Sequence, residues 1–459
     1  MDQDFDAIII GAGQAGPPLA GRLTAAGMKV ALIERKLVGG TCVNTGCMPT
    51  KALVASAYAA HMVRRQDLGV VGGNVRIDMA AVAARAQKVA SDARKRNEAW
   101  LEAMEGLTFF RGHARLAGPG TVTVDDSVLQ APRIFLNVGG RASVPDMPGV
   151  GDVPHLDNTD MVALDRLPEH LVIVGGSYIG LEFAQMFARF GSTVTVVERA
   201  SRLIAREDPE ISDMIRDILE MEGVTIRTDA NCIAFRPHSA GVAVSVDCNS
   251  GDPEVIGSEI LLAVGRRPNT DDLGLENAGV RMDERGYIIV DDKLQTNVSG
   301  IWALGDCNGR GAFTHTAYND YEIIAANLLD GDDRGLSQRV PGYALYTDPP
   351  LGRAGLTETE ARAKGYDVMV STRPMSRVGR AVEKGETLGM MKIIADRATR
   401  HILGAAFLGA GGDEAIHGIL DTMSANQPLD MLRWAVPVHP TVSELIPTLL
   451  VGLTESDVQ

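Results

Sequence analysis

The feature that most constrains this chain is a repeat within it, at an offset of 164 residues. Ile8-Ile9-Ile10-Gly11-Ala12-Gly13-Gln14-Ala15-Gly16 is answered by Val172-Ile173-Val174-Gly175-Gly176-Ser177-Tyr178-Ile179-Gly180. Gly27 is answered by Gly191, and Glu34-Arg35 by Glu198-Arg199. Each copy is an apolar run, a glycine-rich turn, a helix-compatible stretch, a glycine, and a second apolar run closed by an acid. That pattern predicts strand, turn, helix, strand. A Gly-x-Gly-x-x-Gly turn alone is weak evidence. Here the strand, the helix and an acid 23 residues past Gly11 accompany it, and all of them occur twice.

Such a unit suits a dinucleotide. The glycines permit a tight turn and close approach of a pyrophosphate, and the following helix offers free N–H groups and its positive end. On this reading Gly11, Gly13 and Gly16 cradle one pyrophosphate, and Gly175, Gly176, Ser177 and Gly180 a second. Ser177 replaces the middle glycine; its Cβ crowds the phosphate, while its hydroxyl is a donor to the same phosphate. Glu34, with Arg35 beside it, suits the adenosine ribose of FAD. Glu198 favours NAD(H) over NADP(H), because a carboxylate repels a 2′-phosphate. Arg199 and Arg202 lie close by and pull the other way.

Charge narrows the partners. Lys and Arg number 44 against 59 Asp and Glu, a net −15, which disfavours nucleic acid and anionic membrane surfaces. No run of about 20 apolar residues is present to span a bilayer. The acidic start, Met1 to Asp6, lacks the basic residues of a signal peptide, so the expected location is cytoplasmic.

The cysteines are Cys42, Cys47, Cys232, Cys248 and Cys307, too sparse and odd in number for a secreted disulfide framework. Cys42 and Cys47 lie in Gly39-Gly40-Thr41-Cys42-Val43-Asn44-Thr45-Gly46-Cys47-Met48-Pro49-Thr50-Lys51. Zinc sites usually need a second close pair of ligands, and none follows. Two thiols directly after an FAD-type unit suit a redox disulfide instead. A helix opening there lowers a thiol pKa, and Lys51, one helical turn past Cys47, adds positive charge. Cys232, Cys248 and Cys307 have no close partner and read as packing.

With these motifs the chain resembles the pyridine nucleotide–disulfide oxidoreductases, the group holding glutathione reductase, dihydrolipoamide dehydrogenase and mercuric reductase. The similarity spans essentially the whole length. It implies an α/β fold with two Rossmann-like dinucleotide-binding domains, for FAD and NAD(P), and a C-terminal α+β dimerisation domain. By position it makes Cys42 the interchange thiol and Cys47 the flavin-side thiol. Lys51 becomes the lysine beside the flavin and Glu182 its ion-pair partner, while Tyr178 stands at the aromatic gate over the nicotinamide. Trp302-Ala303-Leu304-Gly305-Asp306 resembles the second FAD motif, with Asp306 on a ribityl hydroxyl and Thr314 touching FAD through its backbone. Val264-Gly265-Arg266-Arg267-Pro268-Asn269 resembles the segment closing the nicotinamide domain, which puts Gly265 at that cofactor. Asn137-Val138-Gly139-Gly140 stands where the family has Ala-Thr-Gly. The threonine contact is lost there, while Gly139, like Thr41, counts among the FAD positions.

Val438-His439-Pro440-Thr441-Val442-Ser443-Glu444 resembles the family's acid–base signature. Thiol–disulfide exchange needs a group that takes and returns protons, and histidine titrates in the right range. The resemblance makes His439, oriented by Glu444, serve the disulfide of a second subunit, and so implies a homodimer with shared sites. The expected regions are 1–150 (first FAD part), 151–276 (nicotinamide domain), 277–342 (second FAD part) and 343–459 (interface domain). Met390 to Ala395 reads as an alternating strand and Ala80 to Trp100 as a surface helix, with Tyr343 and Tyr346 structural.

The expected activity is transfer of electrons from nicotinamide through FAD to Cys42–Cys47, and on to a thiol, disulfide or soft metal ion. The flavour of the cysteine segment and of the His439-to-Leu450 tail is mercuric reductase-like. No cysteine follows Cys307 to deliver metal, however, and His439 suits a thiol or disulfide better. Dihydrolipoamide dehydrogenase is the alternative within the family. A flavin-bound redox sensor without turnover is the alternative outside it.

Overall fold

The computed structural model describes residues 2–246 and 253–453; Cys248 lies outside the described residues. Both copies of the repeat fold alike. Strand, helix and strand run Ala7–Ile10, Gly16–Ala25, Val30–Glu34 in the first and His170–Val174, Tyr178–Phe190, Thr193–Val197 in the second. Their strands are apolar without alternation because parallel sheets are covered on both faces.

The likeness extends to topology. The first sheet runs Ile301–Ala303, Ile134–Leu136, Ala7–Ile10, Val30–Glu34, Leu107–Arg111, all parallel. The second runs Glu259–Leu262, His170–Val174, Thr193–Val197, Thr225–Arg227, also parallel. In each, the chain returns to the sheet after three antiparallel strands: Ala114–Gly118, Thr121–Val124, Ser127–Gln130 and Ala234–His238, Gly241–Ser245, Glu254–Gly257. Because Ile301–Ala303 rejoins the first sheet, the second unit is an insertion into the first.

Backbone contacts explain the glycines. Gly11 has φ +107°, and a Cβ there would stand 2.2 Å from the Asn137 carbonyl oxygen. Gly175 has φ +116° and the same conflict, at 2.4 Å, with the Ala263 oxygen. A Cβ on Gly16 would meet the Gly11 oxygen at 2.2 Å, and one on Gly180 the Gly175 oxygen at 2.1 Å. The turn and the helix start are thus locked against each other twice.

The C-terminal sheet is antiparallel, ordered Gly342–Leu345, Leu351–Gly355, Ile402–Leu408, Met390–Asp396, Val368–Pro374. All seven residues of Met390–Asp396 are buried, so the expected alternation gives way to an interior strand covered on both faces. The helix Met79–Glu102 lies on the surface, as expected, with one face covered. Met79, Ala83, Ala86, Ala90 and Ala93 form a buried stripe, and the helix packs on Cys47–Arg64. No helix among the described residues is long and apolar enough to cross a membrane.

Gly16→Ala and Gly180→Ala should each lower stability by about 1–3 kcal/mol. Gly151→Ala, with nothing within 4 Å of its Cβ position, should stay within about 0.5 kcal/mol. Denaturant titration measures this; equal midpoints for all three would show that the turns are looser than described.

Candidate redox-active site

The cysteine segment forms two short-spaced helical starts. Cys42 lies in Gly40–Asn44, and Cys47 is the first residue of Cys47–Arg64, capped by Gly46. Both are free thiols, hydrogen-bonded to each other. The Cys47 thiol is brought down to about 6, first by the bond from Cys42, then by Thr314 and Lys51, against the opposing effect of burial. The Cys42 thiol is raised, first by its bond to Cys47 and then by burial. At neutral pH, therefore, Cys47 holds the charge and Cys42 the proton.

Lys51, one turn along, pairs with Glu182 at 2.6 Å, and Glu182 is 6% exposed. The other Glu182 oxygen accepts the Tyr346 N–H at 3.0 Å, and the Lys51 ammonium sits 4.4 Å from the Tyr346 ring centroid. The Thr314 hydroxyl lies 3.4 Å from the Cys47 sulfur, so its side chain, and not only its backbone, belongs to this site. Tyr178 opens the helix of the second unit and packs edge-on against Phe313 and Tyr343. Tyr343 and Tyr346, read from sequence as structural, thus sit at the gate position and at the Lys51–Glu182 pair. No local signal marks them, because Tyr343 meets Tyr178 across 165 residues of sequence and Tyr346 meets Glu182 across 164.

The two acids use their oxygens in matching ways. Glu34 accepts the N–H groups of Ala12 (2.9 Å) and Lys36 (2.8 Å). Glu198 accepts those of Gly176 (2.6 Å) and Ala200 (2.7 Å), the positions 164 residues on. Each acid therefore braces its own glycine turn. Arg35 pairs with Asp272 at 3.0 Å, and Arg199 is exposed.

The residues assigned to FAD fit a flavin dinucleotide. Gly13 and Gly16 flank the Asn137 amide, and Gly139 (φ +64°) has no atom within 4 Å of a Cβ position; the same holds for Gly265 (φ +115°), assigned to the nicotinamide cofactor. The Gly305 N–H is held by Asp320 at 2.7 Å, which fixes the turn that carries Asp306. Burial raises the Asp306 carboxyl, with Arg266 at 3.8 Å opposing. Arg266 also reaches the Thr41 hydroxyl at 3.4 Å. A cleft of about 470 Å³ beside Asp306 is lined by Arg206, Arg266, Arg267 and Arg310, a positive site on an acidic chain that suits phosphate.

His439 and Glu444 meet at 2.8 Å, with the imidazole 80% exposed. Among the described residues no hydrogen bond or ion pair joins His439 to Cys42, Cys47 or Lys51 of its own chain. Trp434, Val436 and Val438 nearby are 77%, 95% and 75% exposed, an uncovered apolar surface around the dyad. Cys307 is wholly buried, its thiol donating to the Leu136 and Leu304 carbonyls and pushed up to about 12 by burial, which leaves it inert. Cys232 is exposed.

Comparison with known proteins agrees with this geometry. The family described as pyridine nucleotide-disulphide oxidoreductase matches residues 5–320, and its dimerisation domain matches residues 341–450. The chain is 37% identical to the probable pyridine nucleotide-disulfide oxidoreductase RclA of Escherichia coli, covering 96% of this chain and 97% of that protein. A solved structure titled as the Cu(II) complex of that HOCl-induced flavoprotein disulfide reductase superposes with a TM-score of 0.89 at 36% identity, covering 98% and 99% of the two chains. A mercuric reductase of Streptomyces lividans is 34% identical over 96% of this chain and 94% of its own. A dihydrolipoyl dehydrogenase of Thermus scotoductus is 32% identical over 96% and 95%.

In the reduced protein, alkylation of Cys47 by iodoacetamide should rise through a midpoint near pH 6, where a free thiol does so near about 8.5. Cys42→Ala removes the largest cause and should move that midpoint upward. A midpoint at the free-thiol value in the unmodified protein would show that Cys47 is not held as a thiolate.

Proposed function

This chain belongs to the pyridine nucleotide-disulphide oxidoreductase family, and from that premise we propose that it is an FAD-dependent NAD(P)H oxidoreductase acting through Cys42 and Cys47 on a thiol, disulfide or soft-metal acceptor. The observation that carries the reading is the placement of the two thiols, with Cys47 at a helix start, 3.4 Å from the Thr314 hydroxyl and one turn from the Lys51–Glu182 pair, and Cys42 on the short helix before it. Bound FAD would supply two-electron exchange between the nicotinamide and this pair.

The residues divide the remaining work. Gly11, Gly13, Gly16 and Glu34 hold the flavin nucleotide's phosphates and ribose, with Gly305, Asp306 and Thr314 at its ribityl side. Gly175, Gly176, Ser177 and Gly180 hold the second dinucleotide, and Tyr178 covers its nicotinamide. Lys51 is kept in place by Glu182 and holds positive charge next to Cys47. Cys42 must lose its proton before it attacks a disulfide or binds a metal ion. His439 is the base for this step, and its exposure, with no hydrogen bond or ion pair to the two cysteines among the described residues of its own chain, supports delivery from a second copy. Glu444 fixes the ring through its 2.8 Å contact with Nδ1. The family's dimerisation domain fits a homodimer.

Glu198 at the ribose end supports NAD(H) over NADP(H). For the acceptor, the protonated Cys42 and the His439–Glu444 pair suit thiol–disulfide exchange, including the oxidation of a dithiol that dihydrolipoamide dehydrogenase performs. The mercuric reductase-like leaning rests on the cysteine segment, and two thiolates also suit soft or copper ions. The Cu(II) title of the Escherichia coli relative places copper in the panel to be tested. The reactive thiols and the lack of any secreted disulfide pattern fit the reducing cytoplasm.

Two measurements test this. Anaerobic mixing of the FAD-loaded protein with NADH should bleach the flavin, and steady-state assays should then find turnover with lipoamide, glutathione disulfide, Cu(II) or Hg(II). Flavin that stays oxidised with both NADH and NADPH would favour a non-turnover sensor. Glu198→Ala should lower the ratio of NADH to NADPH in kcat/KM, read as a ratio because loosening the turn harms both. An unchanged ratio would contradict the NAD(H) assignment.

A further inference from the structure

The gate position is built against a wall with an unusual foundation. His315 stacks on Phe313 at 5.4 Å and 12°, and Phe313 stacks on Tyr343 at 5.7 Å and 13°. The Tyr178 ring stands edge-on to this stack, 6.1 Å from Phe313 at 81° and 5.3 Å from Tyr343 at 75°, as ring quadrupoles prefer. The Tyr178 hydroxyl is buried and has no hydrogen-bond partner among the described residues. The ring rests against Phe313 and Tyr343, and Tyr343 is the nearer of the two.

Tyr343 is itself anchored. Its hydroxyl donates to Glu207, whose side chain is fully buried. Tyr343 faces Arg353 across the ladder between Gly342–Leu345 and Leu351–Gly355, and Arg353, 1% exposed, approaches Glu207 at 3.1 Å. Arg353 lies 3.7 Å from Asp208, which pairs with the buried Lys392 at 3.1 Å. Lys392 continues to Glu358 at 2.7 Å and to Glu210. This buried ion cluster joins the nicotinamide unit, which supplies Glu207 and Asp208, to the C-terminal sheet, which supplies Arg353 and Lys392. Buried ion pairs are poor sources of stability compared with apolar packing, so fixing a geometry is the better account of this one.

We propose that Tyr343, anchored by Glu207 and Arg353, is a positioning residue that sets the place of the Tyr178 ring and so tunes admission of the nicotinamide. The inference rests on the reading of Tyr178 as the gate. With the Tyr343 hydroxyl gone, the ring loses its anchor and Tyr178 its fixed wall. The site must then reorganise when a nicotinamide enters, which weakens binding.

The test is calorimetric binding of NAD+ and of ADP-ribose, which lacks the nicotinamide, to the FAD-loaded protein and its variants. Tyr343→Phe should weaken NAD+ three- to ten-fold and leave ADP-ribose within two-fold. In a Tyr178→Ala background the same substitution should have no further effect on NAD+, since coupled residues are non-additive. If Tyr343→Phe fails to load FAD, Glu207→Gln carries the same comparison and the same expected result. Equal weakening of both ligands, an unchanged NAD+ affinity, or a loss that persists in Tyr178→Ala would each overturn the proposal while leaving the gate standing. Tyr178→Ala with unaltered NAD+ binding would overturn the gate reading and this inference with it.

Discussion

Cys47 holds negative charge because segments far apart in sequence converge on it. Its own helix begins at its backbone, Cys42 donates from the preceding short helix, Thr314 approaches from the far end of the flavin unit, and Lys51 stands one turn along. The Lys51–Glu182 pair is the joint of the arrangement. Glu182 belongs to the inserted unit, Lys51 to the first, and Tyr346 to the start of the C-terminal domain, so one buried carboxylate fixes three parts of the chain at one point.

The internal repeat explains how two alike strand–turn–helix units can be specified with few residues. Each copy spends its first and third glycines on the same backbone conflict and its acid on the same two N–H groups. The acids were read from sequence as ribose acceptors. In the structure they accept backbone N–H groups on either side of the glycine turns and so stiffen those turns.

What the sequence made legible was local. The glycine turns, the strand–helix–strand units and the helical start at Cys47 follow from residues within about 30 positions of one another. The Lys51–Glu182 and His439–Glu444 pairs were legible through family resemblance, and the chain positions both as contacts. Tyr343 and Tyr346 were read as structural, and the Thr314 side chain was not read as part of the thiol site, because their partners lie on other elements. Lys392 and Arg353 escaped for a related reason: charged residues in a strand read as surface, and only the packed fold shows the carboxylates that accompany them inward. Met390–Asp396 was assigned the right element type but the wrong environment, since burial of both faces of a strand is set by its neighbours and not by the segment, whereas Met79–Glu102 is the surface helix expected, covered along one face only.

The account stands on a reversible sulfur–sulfur bond between Cys42 and Cys47 that is reached from the nicotinamide. Differential alkylation with peptide mapping tests it most directly, on oxidised, FAD-loaded protein before and after anaerobic NADH. The expected result is that both cysteines are protected before NADH and both labelled after it, with Cys307 unchanged. Bleached flavin with the two cysteines still protected, or cysteines freely labelled in the oxidised protein, would contradict the account.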